Sequence, residues 1–594
     1  MEPFVAKLKK PVLIGLIGVG VVVALGGLYA IRGSIPTPAF MKATVPEATG
    51  TLAADVNRGV PREAYELPVQ PVANFQGAAK ILSIPWNATS ALGLANGGAR
   101  TTNDSLVRRY SGGTVEIERQ DDYAVIQQNL IAFQNGYRGG QTLPSQGAPM
   151  AIIMGDGLPA FAAGLEGKAD VVVVGVVGFS DGEDKCMGKP LNGDPQTARG
   201  SLIAAVPRDG DQNICIKWAA DNEIPVNTDN TVYDPAAINF VDTGSFTEAN
   251  DKYIAGYCET RTIANAGVKT NETKRVCVDG VATWTPGDVV VAERKGGLVS
   301  WASTREYNQQ MPAILLANRK WAEENRQFVV GLLRAVDRAA FQIRSEPVTY
   351  LPQAGAIMAN IHGAGGGQEG DANFWTTYYV GKEFTDRQGN KVQLGGSRVT
   401  TLAETRDFLG LGEGTLNIYK GVYEIMGNYA KFFYPTILPS YPAYDTVVTG
   451  DFVRAALAGV QTTRSNAPAA FADNTTIQNT VSRRAYKVEF ETGSAIITAA
   501  SREQLFELAN QSGMTNLRIR IDGHTDNTGN ASANQTLSRA RAQAVADWLQ
   551  SQAPATFPAN RIQVRGYGDT NPVADNGTPA GQARNRRVEI TLGS

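Results

Sequence analysis

Histidine is nearly absent from this chain of 594 residues, which has only His362 and His524. Zinc sites built from several histidines and histidine proton relays are thereby excluded. This absence favours binding over chemistry, and we predict that the chain is not an enzyme and holds no metal or cofactor. An excess of one charge is missing too, because 55 basic side chains balance 57 acidic ones. We therefore predict no nucleic-acid partner.

Cysteine is also scarce, with four residues that all lie in the second and third hundreds of the chain. None forms a C-x-x-C pair, which argues against metal sites and thioredoxin-like redox sites. An even number in an oxidising compartment favours two disulfides, for which three connectivities exist. We predict the sequence-local pairs Cys186–Cys215 and Cys258–Cys277, and the alternative is four buried thiols.

Apolar runs long enough to cross a membrane are absent except between Pro11 and Ile31, where no charged residue occurs. As a helix this run spans ~31 Å, which matches a hydrocarbon core. Three lysines precede the run and only Arg32 follows it closely, so residues 1–10 are predicted to be cytoplasmic. A cleaved signal peptide is the alternative, but its apolar region is usually shorter. We favour an uncleaved, single-pass anchor in a bacterial inner membrane, with the bulk of the chain in the periplasm.

Hydrophobic periodicity divides the rest of the chain into two regions. Residues 32–73 and 461–484 have no sustained pattern and are predicted linkers. Between them, residues 74–460 alternate strands with helices, and the apolar run Ala169–Val177 is typical of a strand buried on both faces. This alternation predicts an α/β fold with an open, mainly parallel sheet that binds ligands at the carboxyl ends of its strands.

The order of elements in this middle region carries a family resemblance. A strand, an aromatic loop, a helix, a second strand and an acidic pair before another helix resemble type II periplasmic substrate-binding proteins. The resemblance implies two α/β lobes around a cleft for a small polar, anionic or zwitterionic solute. Loops and helix N-termini present N–H groups to such ligands, although an ordinary turn, cap or core role is the alternative for each residue. The candidate solute ligands are Trp86, Ser90, Asp122, Ser180, Asp181, Asp211, Asn213 and Trp284.

One motif suggests an enzyme instead. Residues 178–182 (GFSDG) match G-x-S-x-G directly after the buried strand, with Ser180 in the nucleophile position. A hydrolase elbow leads straight into a helix, whereas residues 183–190 have a turn-like composition. The base would have to be His362, which precedes a glycine-rich stretch. An esterase at Ser180 is therefore an alternative that we disfavour.

The last ~110 residues are predicted to form a small α/β sandwich in the order βαβαββ. A capping box at Ser501 and Gln504 marks the start of its first helix. The predicted strands are 486–490, 517–523, 562–568 and 587–592, and the predicted helices are 501–512 and 531–551.

This region carries a dense motif in residues 523–529 (GHTDNTG), 566–568 (GYG) and 585–590 (NRRVEI). It resembles the OmpA-like peptidoglycan-binding domain shared by OmpA proteins, Pal lipoproteins and MotB stator subunits. The resemblance implies that residues 485–594 bind the diaminopimelate stem peptide of peptidoglycan. A carboxylate and a guanidinium at a fixed separation suit the ammonium and carboxylate of that ligand. The implied ligands are Asp526, Arg541, Asn534, Asn527, Thr528, Gly529 and Arg587, with Arg586 as the alternative at the rim.

Two further observations concern the predicted peptidoglycan site. The alternative role for Arg541 is an ion pair with Asp526 that only holds the strand to the helix. Gln582 stands where the family usually has an arginine, which weakens the positive charge at the rim.

Both regions together resemble fusions of phosphate ABC transporter substrate-binding and OmpA domains. We predict an inner-membrane-anchored periplasmic protein that binds peptidoglycan through its C-terminal domain and a small solute through its middle domain. The alternative is a structural or stator-like scaffold whose middle domain binds a protein partner and no solute. Membrane-protein partners, or a second copy of the chain, fit either prediction.

Overall fold

The computed structural model describes residues 65–593, apart from 74, 141–142, 266, 364–367, 461–476, 478–479 and 492. The predicted membrane helix at residues 11–31 and most of the predicted linker after it lie outside the described residues. Within the described chain, no helix combines the length and the hydropathy needed to cross a membrane.

Strands of the middle region pair mainly into two sheets. In chain order they are β1 (Ala79–Ser83), β2 (Val115–Arg119), β3 (Met150–Met154), β4 (Val171–Ser180), β5 (Lys185–Gly188), β6 (Leu202–Ala205), β7 (Val226–Asn227), β8 (Val232–Tyr233), β9 (Ile238–Asp242), β10 (Cys258–Asn265), β11 (Val268–Cys277), β12 (Gly280–Thr283), β13 (Val299–Ser303), β14 (Pro312–Asn318), β15 (Lys382–Thr385), β16 (Lys391–Leu394) and β17 (Ser397–Val399).

Helices alternate with these strands over most of the middle region. They are α1 (Ser90–Asn96), α2 (Leu106–Ser111), α3 (Tyr123–Gly136), α4 (Leu158–Leu165), α5 (Gly210–Asp221), α6 (Phe246–Ala255), α7 (Gly287–Arg294), α8 (Arg319–Glu324), α9 (Arg326–Ser345), α10 (Pro347–His362), α11 (Ala372–Val380), α12 (Leu402–Phe408), α13 (Ile418–Phe433), α14 (Tyr444–Val447) and α15 (Asp451–Ala456).

Two six-stranded sheets define two lobes, with strand orders β17-β4-β14-β3-β1-β2 and β13-β5-β12-β6-β9-β7. In the first sheet β1 is parallel to β2 and β3, but β14 is antiparallel to both β3 and β4. In the second, β6 is parallel to β9 and β12, while β5 is antiparallel to β12. The α/β class is confirmed. The sheets are mixed rather than mainly parallel, because the chain re-enters the first sheet at β14 in the opposite direction to β4.

Two segments connect strands of the first sheet directly to strands of the second, residues 181–184 from β4 to β5 and residues 304–311 from β13 to β14. They run side by side, since Thr304 N donates to Asp184 O at 3.0 Å. The lobes meet beside this crossing. A Cβ on Gly210, which follows β6, would lie 2.5 Å from Cε of Met311. Glycine at this position leaves room for the Met311 side chain where the second lobe approaches the first.

Burial and disulfides agree with the sequence pattern in this region. Strand β4 is buried along its whole length, as its continuous apolar run predicted. Both predicted disulfides are confirmed. Cys186–Cys215 joins β5 to α5, and Cys258–Cys277 joins the two strands of the β10–β11 hairpin at paired positions.

The C-terminal domain is a four-stranded sheet in the order β18-β21-β19-β20, covered by helices. Its elements are β18 (Thr480–Tyr486), α16 (Arg502–Gly513), β19 (Arg518–Gly523), α17 (Ala531–Gln552), β20 (Ile562–Gly566), α18 (Pro579–Asn585) and β21 (Val588–Gly593).

Two details of this domain correct the sequence analysis. The first strand is 480–486 and not 486–490, because its backbone pairs with β21 over residues that were assigned to a linker. Ser501 forms no capping box at α16, since its hydroxyl accepts a hydrogen bond from Glu489 N at 2.6 Å. Helix α18, just before the last strand, was not predicted.

The C-terminal domain contacts the middle domain directly. Gln309 N, on the second crossing segment, donates to Met514 O at 3.1 Å, and Ala555 N donates to Gly414 O at 3.0 Å. The Met514 side chain is fully buried in the same apolar cluster as the first lobe. Backbone hydrogen bonds and apolar packing therefore join the two domains.

Candidate functional site

The first candidate site lies where β19 ends and α17 begins. A Cβ on Gly523 would be 2.1 Å from the carbonyl oxygen of Ser538, so glycine lets the strand approach the helix. The Asp526 carboxylate accepts hydrogen bonds from Thr528 N at 2.9 Å and from Arg586 at 2.5 Å. Burial opposes ionisation, but these bonds outweigh it and lower the pKa of Asp526 below its usual value. Asp526 is therefore negatively charged at neutral pH.

Arg541, on α17, provides the positive charge of the site. Its Nε donates to Ser494 O at 3.1 Å, and its guanidinium lies 5.1 Å from the ring centre of Phe490. Burial, together with the charge of Arg586, lowers the pKa of Arg541 from its usual value, although the group stays protonated. Among the described residues no ion pair joins Arg541 to Asp526, and the ion-pair partner of Asp526 is Arg586. The alternative role for Arg541, as a strand-to-helix tether through Asp526, has no contact to support it.

The other predicted ligands surround this pair. Asn534 Nδ2 donates to Asp526 O at 3.3 Å, and Asn527 Oδ1 accepts a long bond of 3.5 Å from Gln582. Gly529 has a φ of 95°, which favours glycine at this turn before α17. These contacts fix the shape of the loop that carries Asp526.

Arg587, which was predicted to bind peptidoglycan, does not lie beside Asp526. Its guanidinium is buried and donates to Glu589 at 2.7 Å and to the carbonyl oxygens of Asn585 and Asn571. The residue beside Asp526 is Arg586, whose side chain is 46% exposed. Arg586 and Arg587 are adjacent at the start of β21, and successive side chains of an extended chain point to opposite sides. The path of the backbone into β21 therefore determines that Arg586 is the one that faces Asp526.

The second candidate site lies where the two lobes meet, and we call it the acidic cluster. Asp156 follows β3, Asp184 lies on the first crossing segment, and Asp209 and Asp211 follow β6. Asp156, Asp184 and Asp211 are buried, whereas Asp209 is partly exposed and caps α5 through Gly210 N. Burial raises the pKa values of Asp156 and Asp184 to about 7, and it raises that of Asp211 well above its usual value.

Several carboxyl oxygens of this cluster accept no hydrogen bond of ordinary geometry in the described part of the chain. They are both oxygens of Asp184 and one each of Asp156 and Asp211. Asp156 receives a single bond of 3.3 Å from Asn213 Nδ2. A buried polar atom without a partner costs ~1–3 kcal/mol. A group that donates hydrogen bonds here would therefore be bound favourably. Over the described ranges, no set of three carboxylate, histidine or cysteine side chains has the geometry of a metal site.

Three of the predicted solute ligands belong to this region. Asp211 and Asn213 are in or beside the acidic cluster. Ser180 adjoins it, since its hydroxyl accepts a hydrogen bond from Asp184 N at 3.2 Å. Sequence analysis missed Asp156, Asp184 and Asp209. For Asp156, an acidic residue just after an apolar strand was an available signal.

The remaining predicted solute ligands have other contacts. Asp122 is the N-cap of α3 and accepts from two backbone N–H groups, which is the alternative role weighed above. Asp181 N bonds to a backbone carbonyl of residue 396, and Trp284 packs edge-on against Phe246. Trp86 and Ser90 are buried in the first lobe.

Ser180 does not have the surroundings of a nucleophile. Strand β4 leads into a turn and then β5, with no helix after the serine. The Ser180 and Thr304 hydroxyl oxygens are 2.6 Å apart. Burial lowers the pKa of His362 to about 3, and its ring nitrogens bond to no described residue. The structure therefore pairs Ser180 with Thr304 and not with an imidazole.

The acidic cluster predicts a pH-dependent stability difference for Asp156→Asn. Burial raises the pKa of Asp156 from 3.8 to about 7, with Asp209 and Asp184 contributing. Between those values the folded protein keeps a proton that the unfolded chain releases, so this group destabilises the fold as pH rises. We expect the stability advantage of the variant over wild type to grow by ~1.4 kcal/mol per pH unit between about pH 4 and pH 7 in urea unfolding. A difference that does not grow with pH would contradict the raised pKa.

Comparison with known proteins places the first site in a family. Residues 489–586 match the OmpA family. The outer-membrane lipoprotein YfiB of Pseudomonas aeruginosa is 48% identical over 75 residues, which are 13% of this chain and 43% of that protein. The peptidoglycan-binding protein ArfA of Mycobacterium tuberculosis is 39% identical over 106 residues, which are 18% of this chain and 32% of that protein. The chain thus spans less than half the length of these curated relatives.

The middle domain is similar to a solved structure at low identity. The periplasmic nitrate-binding protein NrtA from Synechocystis PCC 6803 covers 64% of this chain and 88% of its own, with 13% identity and a TM-score of 0.42. The family match above covers residues 489–586. Residues 489–586 therefore form an OmpA-family domain.

Proposed function

We propose that this chain is a cell-envelope protein that binds the diaminopimelate stem peptide of peptidoglycan through its OmpA-family domain. One observation carries this proposal. Asp526 is ionised, and Arg541 is near enough to feel its charge but forms no ion pair with it among the described residues. Diaminopimelate presents an ammonium and a carboxylate on one side chain. Asp526 accepts the ammonium and Arg541 donates to the carboxylate, and such charge-assisted bonds are roughly twice as strong as neutral ones.

Arg586 forms an ion pair with the Asp526 carboxylate. Its side chain is 46% exposed, so the ion pair with Asp526 is a surface contact of small net energy. The ligand ammonium displaces Arg586 from Asp526 at little cost. The backbone N–H of Thr528 donates to Asp526, so we assign the second oxygen of the ligand carboxylate to the backbone N–H of Gly529.

For the rest of the chain we propose a solute-binding middle domain in the periplasm and an inner-membrane anchor at residues 11–31. Two disulfides support an oxidising compartment. Polar groups without partners, buried where the two lobes meet, support solute binding between the lobes. An OmpA-family domain on the same chain supports attachment to the cell wall from the periplasmic side.

The peptidoglycan proposal is tested by co-sedimentation of the full chain with two kinds of purified sacculi. One kind has diaminopimelate in the stem peptide, and the other has lysine, which lacks the second carboxylate. We expect the chain to pellet with the first kind and to lose ~10-fold or more of its affinity for the second, because Arg541 loses its partner. Free meso-diaminopimelate should compete. Equal pelleting with both kinds would contradict the proposed recognition.

A further inference from the structure

We infer that the acidic cluster between the lobes binds the positively charged end of a small organic solute, a primary ammonium or a guanidinium group. The inference rests on the proposal that the middle domain binds a solute, and it specifies the chemical class of that solute. The sequence predicted a small polar, anionic or zwitterionic solute, whereas this inference requires a positively charged group on the solute.

Carboxyl groups from both lobes lie close together in this cluster. Asp156 comes from the first lobe, Asp209 and Asp211 from the second, and Asp184 from the segment that crosses between them. After burial, the largest influences that raise the pKa of Asp211 are the charges of Asp184 and Asp209. Like charges in a poorly solvated site cannot all ionise unless a cation is added. A bound cation would therefore be favoured by every member of the cluster, and an anion would be repelled.

Nearby basic side chains have other partners. Lys185 forms a buried ion pair of 2.5 Å with Asp288 and also donates to Glu183 O. Arg208 places its guanidinium 5.8 Å from the ring centre of Tyr434, and its charge lowers the pKa of Asp242, although its buried Nε has no hydrogen-bond partner among the described residues. Lys185 lowers the pKa of Asp184, but the effects of burial outweigh it. The protein thus supplies less positive charge to the cluster than the carboxyl groups require.

Unpartnered hydrogen-bonding groups are the independent sign of a ligand. Gln310, on the second crossing segment, is fully buried, and neither atom of its amide forms a hydrogen bond of ordinary geometry with a described residue. Its amide is nevertheless close enough to Asp156 to lower the pKa of that group. Buried polar groups in folded proteins are normally paired. An ammonium donates three hydrogen bonds to carboxyl oxygens, and the Gln310 amide suits a polar group elsewhere on the same solute.

A purely structural role does not explain the whole cluster. Asp209 caps α5, which is an ordinary function for an aspartate at that position. Asp184 caps no helix. The Ser180 hydroxyl and Asp211 interact with it and lower its pKa, but neither of its oxygens accepts a hydrogen bond of ordinary geometry in the described chain. Asp184 also lies on a segment that joins the lobes, so a cation bound to it contacts the point where both lobes meet.

The test is a thermal-shift series on the full chain at neutral pH. The cationic probes are putrescine and agmatine, the anionic probes are phosphate, nitrate and ethanesulfonate, and Ca²⁺ tests for metal binding. Tryptophan fluorescence reports on the middle domain, which contains every tryptophan except Trp548. At about 100 times its dissociation constant, a cationic probe is expected to raise the unfolding temperature by ~3 °C at matched ionic strength.

Variants of the acidic cluster test whether the cationic probes bind there. Asp184→Asn and Asp211→Asn keep the shape of the side chain, and we expect both to lose the shift while unfolding no earlier than wild type. Asp251→Asn, at an exposed position of α6, is the matched control and should keep the full shift. A shift that survives both cluster variants would overturn the assignment of the site.

The pattern of thermal shifts across the probes distinguishes a failure of this inference from a failure of the proposed solute binding. A shift from an anion and none from the amines would overturn the cationic assignment and leave solute binding supported. A shift from Ca²⁺ alone would also overturn it. The absence of any shift would refute solute binding together with this inference, whereas sacculus binding is measured independently and would stand.

Discussion

Asp526→Asn is expected to release the chain from diaminopimelate-containing sacculi, with an affinity loss of at least ~30-fold. The variant keeps the size of the side chain and removes the negative charge that faces the ligand ammonium. Removing one partner of a desolvated charge pair typically costs ~2–5 kcal/mol, and 2 kcal/mol corresponds to the 30-fold loss. The measurement is a sacculus-binding isotherm by co-sedimentation. Asp547→Asn, at an exposed position of α17, is the matched control.

Arg541→Lys tests the other half of the same pair. Lysine keeps the charge but loses the planar fork that binds both oxygens of a carboxylate, so we expect weaker binding than wild type. Arg539→Lys, two residues earlier on the same helix and exposed, should bind normally. Wild-type affinity for both Asp526→Asn and Arg541→Lys would place the peptidoglycan site elsewhere in the domain.

Arg561→Ala is expected to destabilise the C-terminal domain by on the order of 4 kcal/mol or more, a large part of its total stability. Arg561 is buried, and its guanidinium donates to carbonyl oxygens of Leu517, Thr556, Ser512 and Thr515. Burial lowers its pKa to about 9, so it is still charged at neutral pH. Truncation would leave these carbonyls without donors and create a cavity. Domains of this size have only ~5–15 kcal/mol of stability.

Hydrogen exchange is the specific measurement for this variant, because the amides of β19 and β21 report on the C-terminal domain alone. We expect these amides to lose protection in Arg561→Ala and to keep part of it in Arg561→Lys, which restores the charge but not the fork. Arg502→Ala, at an exposed position of α16, is the control. Full protection in Arg561→Ala would show that water satisfies the four carbonyls.

Local sequence patterns were sufficient for several parts of this structure. The apolar run at Ala169–Val177 predicted a strand buried on both faces, and β4 is such a strand. Both disulfides followed from cysteine spacing, since short separations along the chain also favour pairing in the fold. The motif around Asp526 indicated an OmpA-like domain, and residues 489–586 match that family. In each case the information lies within a short stretch of sequence.

Tertiary structure decided what those patterns could not. Asp156, Asp184, Asp209 and Asp211 lie on three separate segments, and no spacing in the chain shows that they meet between the lobes. The choice of Arg586 over Arg587 also depends on the path of the chain into β21.

What the sequence by itself determined about this protein is its set of local elements, its cysteine pairs and the type of its C-terminal domain. What only the fold decided is which charges share a site. The physical reason is that helix periodicity, strand alternation and short motifs act over neighbouring residues, whereas burial and electrostatic interaction act between residues that are close in space and distant in sequence.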